Sequence, residues 1–281
     1  MDPFDFIKCK QRIWAKNHNI ELMGSKIDKG ELNYTKTLRD NLFLDISDES
    51  RREFTQGDGN ELAGFPAKMQ ALHSSSALTV NFFEFWKKAK FKKPIAKALR
   101  IPSTNILDIK FEKKFPILPN SMRHPNIDVV FNYKNGYCCA IECKFTEPYQ
   151  QSRKTISGLK EKYISEFEHW DSIPTVFQLA KVISPNDTKF NYLYSAQLVK
   201  HVLGLLTKYD KSKFRLLYVW YDAFGEKSYR HSLELEELAS IFRSDGITFQ
   251  AITWQEVIIN LSSYLSGNSL KYLRYLEERY L

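Results

Sequence analysis

Asn126-Ile127-Asp128-Val129-Val130-Phe131, an Asn135-Gly136 pair, and then Ala140-Ile141-Glu142-Cys143-Lys144-Phe145 decide how this chain folds. Two apolar, β-branched runs around Asn-Gly predict a hairpin, with a tight turn whose two central residues both take a positive φ. Residues two apart on a strand share a face, so Glu142 and Lys144 point one way while Ile141, Cys143 and Phe145 point the other. Folding the strands together brings Asp128 near Glu142. Charges seldom occupy the centre of a strand whose faces are covered by helices, and this strand is otherwise apolar: Cys138, Cys139, Ala140, Ile141. The bland alternative is a half-exposed ion pair between Glu142 and Lys144, worth about 0 to 1 kcal/mol.

Two converging carboxylates repel unless a cation sits between them, and hard oxygen ligands select Mg²⁺ or Mn²⁺. In phosphodiester hydrolysis such an ion polarises the phosphoryl oxygen and activates water, while an adjacent ammonium orients that water or offsets developing charge. Asp128, thirteen intervening residues and then Glu142-x-Lys144 resemble the PD-(D/E)xK nuclease superfamily, with the Pro-Asp pair loosened to Pro125-Asn126-Ile127-Asp128. Ser74 to Leu78, Asn81 to Trp86, Glu142 to Tyr149, the Gln197 segment and Tyr218 to Asp222 are similar to a restriction-endonuclease-like bacterial subgroup, so the resemblance spans residues 66–265. It implies an α/β fold with a restriction-endonuclease-like core: a central mixed β-sheet flanked by helices, with extra N- and C-terminal helices. It also implies Mg²⁺-dependent (or Mn²⁺-dependent) cleavage of DNA, with Asp128, Glu142 and Lys144 catalytic and Asp128 and Glu142 binding the metal; the DNA is expected to be double-stranded. Glu84, on the first helix, is by the same resemblance a further metal ligand. Gln197 and His201 share a helix face and resemble a Gln-x-x-x-Tyr element with His in place of Tyr. Both are therefore candidate site residues. His124 is a candidate phosphate contact at the mouth, and Glu147 has Arg153 and Lys154 as candidate partners.

The chain has 281 residues and a net charge of +8, and the segment Phe85 to Lys114, with ten Lys or Arg against Asp108 and Glu112, accounts for all of it. Lys87, Lys88, Lys90, Lys92, Lys93, Lys97 and Arg100 are the expected DNA-binding residues, because concentrated basic charge suits a phosphate backbone. Phe91 and Trp86 offer faces for base stacking. Four cysteines without a Cys-x-x-Cys pair, three of them on one strand, make neither a disulfide framework nor a zinc site. The absence of an apolar leader or a long apolar run points to a cytoplasmic protein. No Gly-x-Ser-x-Gly elbow or glycine-rich phosphate loop occurs.

The expected organisation is an N-terminal helix and polar extension (1–65), a nuclease-like domain (66–265) and a C-terminal helix (266–281). Helices are predicted over Phe4 to Asn17, near 36–52, over Pro66 to Lys90 and on towards Arg100, then over Gln150 to Phe167, Phe190 to Leu206, Ser232 to Arg243 and Gln255 to the C-terminus. Strands are expected over Ile106 to Phe115, where Ile109 and Phe111 alternate with Lys110 and Glu112, and over Ile127 to Tyr133, Tyr137 to Phe145, Phe214 to Tyr221 and Ile247 to Trp254. The first three form an antiparallel meander. The segment Asn268 to Leu281 offers an apolar stripe for a homodimer or for capping the core. The rival to an enzyme is a catalytically inactive nucleic-acid-binding module of the same fold.

Overall fold

The computed structural model describes residues 1–119, 124–150 and 158–281. Its elements run α1 (Pro3–Asn17), β1 (Leu22–Gly24), β2 (Leu32–Thr35), α2 (Asp48–Gln56), α3 (Ser75–Lys88), α4 (Lys93–Ala98), β3 (Ile106–Lys114), β4 (Asn126–Tyr133) and β5 (Cys138–Lys144). They continue with α5 (Glu161–Glu166), α6 (Pro174–Val182), α7 (Ser195–Leu206), β6 (Phe214–Trp220), α8 (Glu226–Ser244), β7 (Phe249–Thr253), α9 (Trp254–Ser262) and α10 (Leu270–Tyr280). The central sheet has the order β3-β4-β5-β6-β7; β3, β4 and β5 are antiparallel, while β6 and β7 run parallel to β5. This is the expected mixed sheet. Among the described residues no helix is long and apolar enough to cross a membrane.

Alternation along β5 divides the core in two. Cys139, Ile141, Cys143 and Phe145 join the apolar layer containing Phe82, Phe83, Trp254 and Tyr280, whereas Cys138 and Ala140 face the layer of Val199, Val202 and Leu238. Glu142 and Lys144 continue the second face, at its end. Both layers are helical, which explains why every residue of β5 is buried. The first layer also takes in Ile7, Leu42 and Tyr280, so one apolar cluster draws on all three segments of the chain. Tyr272, Leu273, Leu276 and Tyr280 of α10 are buried within the chain itself, so of the two uses expected for this stripe, homodimer or core cap, these residues serve the second.

Several expected boundaries move. The hairpin between β4 and β5 closes through Tyr133 and Tyr137, with Gly136 at φ +77° and Asn135 not in the left-handed region, so its loop has three residues and needs only one positive φ. The long helix from Pro66 begins instead at Ser75, where the Ser74 hydroxyl caps the Ala77 N–H. The helix near 36–52 lies at Asp48–Gln56, capped by Ser47. The polar extension holds the β1–β2 hairpin, tied by Lys8 to Asp28 and Glu31 at 2.8 and 2.7 Å. Of the helix expected over Gln150 to Phe167 only Glu161–Glu166 is helical among the described residues, and 151–157 lies outside them. The sequence reading missed α6, which starts on Pro174 where Asp245 accepts the Thr175 and Val176 N–H groups. Gln255 to the C-terminus is two helices, α9 and α10.

Gly204 sets how closely α7 approaches the sheet. A Cβ there would lie 2.8 Å from the Phe115 carbonyl oxygen, a backbone atom with no easy retreat. Gly204→Ala is expected to destabilise the fold by about 1–3 kcal/mol and to lift α7 off the sheet. Urea unfolding measures the first effect. A variant as stable as the parent would show that the contact relaxes freely.

Candidate active site

A cleft of about 490 Å³ opens where β4, β5, α7 and the start of α3 meet. The register Val129↔Ile141 carries on to set Asp128 beside Glu142, and Asp128 Oδ2 accepts the Cys143 N–H at 2.7 Å. Glu142 is 0 % exposed; its Oε1 meets Lys144 Nζ at 2.5 Å and its Oε2 meets His201 Nε2 at 2.8 Å. Lys144 Nζ also donates to Gln197 Oε1 at 3.0 Å. The Lys144 carbonyl, in turn, accepts from Tyr221 N–H and Trp254 Nε1, so its backbone is pinned from the far layer. The spacing of Gln197 and His201 along α7 thus matches that of Lys144 and Glu142 along β5.

Burial and charge act against each other here. Burial, then the charge of Glu142, raise the Asp128 carboxyl well above the usual aspartate range. Burial also opposes ionisation of Glu142, yet Lys144 and His201 outweigh it and hold that carboxyl down at about 2. Lys144 loses hydration, but Glu142 with Glu147 and Asp128 keeps its ammonium charged, pushing its pKa up. The cluster is a set of acids only partly neutralised by Lys144 and His201, in which ionisation of Asp128 is opposed.

Sequence reasoning missed Glu112. It follows Phe111, which pairs with Val129, and precedes Lys113, which pairs with Ile127, so on β3 it lies opposite Asp128 of β4. Its φ is +48°, a left-handed backbone that costs a non-glycine residue about 1–3 kcal/mol. Its Oε2 accepts from Asn126 Nδ2 at 3.1 Å, and a Cβ on Gly57 would sit 2.8 Å from that oxygen. Burial, then the charge of Glu142, push its carboxyl up to about 7. The alternation of Lys110 and Glu112 with Ile109 and Phe111 was its signal in the sequence, and the strand pairing turns it into a third acid at the cleft.

A carboxyl raised in the folded state stabilises the fold below its unfolded pKa of 4.5 and loses that contribution as pH rises through about 7. Without metal, the protein is therefore expected to lose up to about 3 kcal/mol between pH 5 and 8 from this group. Glu112→Gln should flatten that part of the profile. Parallel melting profiles for the two proteins in EDTA would sink the assignment.

Other expected site residues lie elsewhere. Glu84 accepts from Ser47 N–H at 3.0 Å and the Ser50 hydroxyl at 2.6 Å, and Lys88 lies 3.4 Å away, so it secures the start of α2. It is eight residues beyond Ser76, the α3 residue at the cleft, or about 12 Å along a helix. The structure thus places Glu84 outside the carboxylate cluster. The basic segment is at the same far end of α3. Lys87 is buried against Glu53 at 2.5 Å, Lys88 binds the Asp45 carbonyl, Lys92 binds the Ala89 carbonyl, Lys97 covers the Tyr264 ring and Arg100 meets Glu256. Lys90 lies over the Phe91 ring, and Lys93 opens α4. None of these seven lines the cleft. Trp86 is buried and donates to Tyr272, which removes it from base stacking, whereas Phe91 is exposed. His124 does line the cleft, as does Glu147, which accepts the Phe145 N–H; Arg153 and Lys154 lie outside the described residues.

Among the described residues no group of three or more His, Cys, Asp or Glu side chains is arranged to hold a metal ion. The contacts explain this, since both Glu142 oxygens are engaged by Lys144 and His201. Two carboxylates with several waters nonetheless suffice for Mg²⁺, and the raised Asp128 and Glu112 are acids that a cation would relieve. The donor set therefore fits a hydrated divalent ion. No curated protein and no solved structure matches the chain. Residues 8–281 match the model of the REase-ARP family, described as "Restriction Endonuclease associating with ARP", and with nearly its whole length covered, the chain belongs to that family.

Proposed function

We propose that the protein is a metal-dependent endodeoxyribonuclease that hydrolyses phosphodiester bonds of double-stranded DNA in the cleft between β5 and α7. The observation that carries this is the constellation of half-buried Asp128 with buried Glu142 and Lys144, with Glu142 and Lys144 each gripped by a residue of α7, in a chain of a restriction-endonuclease family. Asp128 and Glu142 would hold the ion, Mg²⁺ or Mn²⁺, and Glu112 is placed to join them. When bound, the ion supplies Lewis acidity and a more acidic water. Lys144 offsets charge developing on the phosphorus oxygens, or orients the attacking water, because its ammonium is kept protonated. Gln197 and His201 fix the directions of Lys144 and Glu142. With one contact on each oxygen, Glu142 keeps lone pairs for an ion beside Lys144 and His201, and Lys144 has Gln197 as a second anchor.

The engagement of both Glu142 oxygens by Lys144 and His201 favours one rival: a nucleic-acid-binding module that cuts nothing. Association with ARP, named in the family description, belongs to either reading. The test is incubation of the wild type and Asp128→Asn with supercoiled plasmid, linear duplex and single-stranded DNA, each in EDTA, Mg²⁺ or Mn²⁺. Metal-dependent cutting by the wild type alone supports the enzyme. DNA binding without cutting by either protein supports the rival.

A further inference from the structure

We propose that Lys200 is the phosphate anchor of the cleft, the ammonium that receives a phosphodiester of the bound nucleic acid, and this rests on the nuclease reading of the site. Six carboxylates line the cleft: Asp58, Glu61, Glu112, Asp128, Glu142 and Glu147. A polyanion entering such a place is repelled unless cations face it. Lys144 is committed to Glu142 and Gln197. Among the described residues Lys200, from the turn of α7 between Gln197 and His201, is the other ammonium that lines the cleft. Among the described residues it makes no hydrogen bond and no ion pair, although so many acids share the cleft with it.

A half-buried ammonium with no anionic partner is a costly arrangement. Burial pulls the Lys200 pKa down, and Glu142, acting through space, offsets this only in part. The charges of Lys160 and Lys144 lower it further. A phosphodiester oxygen would give Lys200 the anion it lacks, in the manner of a point charge on a flexible stem. Its role is binding: it holds the backbone while Lys144, one wall away, faces the reacting group.

The experiment measures binding of a short labelled duplex by anisotropy, in the Asp128→Asn background with EDTA, across a range of salt. Lys200→Ala is expected to weaken binding for all sequences alike and to reduce the slope of log affinity against log salt by about 0.9. Lys200→Arg should restore the slope. In the cleaving enzyme, Lys200→Ala should raise KM far more than it lowers kcat. An unchanged slope in a Lys200→Ala protein that melts normally overturns the proposal, and so does an equal loss in the Arg variant, which would mark a packing role. If the wild type cuts DNA while Lys200→Ala binds as its parent does, only the anchor fails; if the wild type neither cuts nor binds, the nuclease reading fails and takes the anchor with it.

Discussion

Asp128→Asn is expected to reduce metal-dependent cleavage by about a thousandfold or more while leaving a folded protein that melts higher than the wild type in EDTA. The two effects have one cause. The Asp128 carboxyl is half-buried beside Glu142 and Glu112, and its ionisation is opposed by loss of hydration first and by those charges next. An amide of the same shape keeps an oxygen for the Cys143 N–H and removes the repulsion, but it lacks the charge that a divalent ion needs. A loss of both activity and stability would mean the residue is structural; retention of full cleavage would remove it from the site. Lys144→Ala should match the loss of rate for a different reason and should be less stable, because Glu142 would keep only His201 as a partner. Activity assays beside thermal melts separate these cases.

Arg279→Ala is expected to cost about 3–5 kcal/mol of stability, without any contact to the cleft. The guanidinium is fully buried and makes no ion pair among the described residues. It donates instead to Gln11 Oε1 at 2.9 Å, the Asn41 carbonyl at 2.8 Å, the Asn41 side chain and the Tyr275 hydroxyl at 2.6 Å, and it lies 4.0 Å from the Trp14 ring centroid. One side chain thus joins α1, the loop before α2 and α10. Truncation leaves the Asn41 carbonyl without this donor and opens a cavity between aromatic rings. Lysine would not substitute, since it lacks the planar fork. Urea unfolding of Arg279→Ala and Arg279→Lys checks this, and a loss below about 1 kcal/mol in both would show that the network repacks.

Much of the sheet was legible because its signals are short-ranged. Apolar runs bounded by turns placed all five strands of the central sheet, and period-two spacing put Glu142 and Lys144 on one face and Cys143 on the other. Spatial partners were less legible. Glu84 was expected as a metal ligand from the family resemblance of its helix, yet only the fold reveals that Ser47 and Ser50 claim it. Glu112 counted as a surface charge until β3 paired with β4. The basic run read as a binding surface, but charge along a sequence does not say which charges are already paired, and Lys87 is held by Glu53. Lys200 stood out in no pattern, since its meaning lies in contacts it does not make.

The edge of the sheet has its own consequence. α2 lies against β3, with Glu53 accepting the Phe111 N–H at 3.0 Å and the Phe54 ring 5.2 Å from that of Phe111. An edge strand normally offers its free backbone groups as a template for another chain. Here a carboxylate occupies that template, so a neighbouring copy could not extend the sheet across β3 without first peeling α2 away, and self-association by strand addition is discouraged on the side of the molecule that carries Glu112.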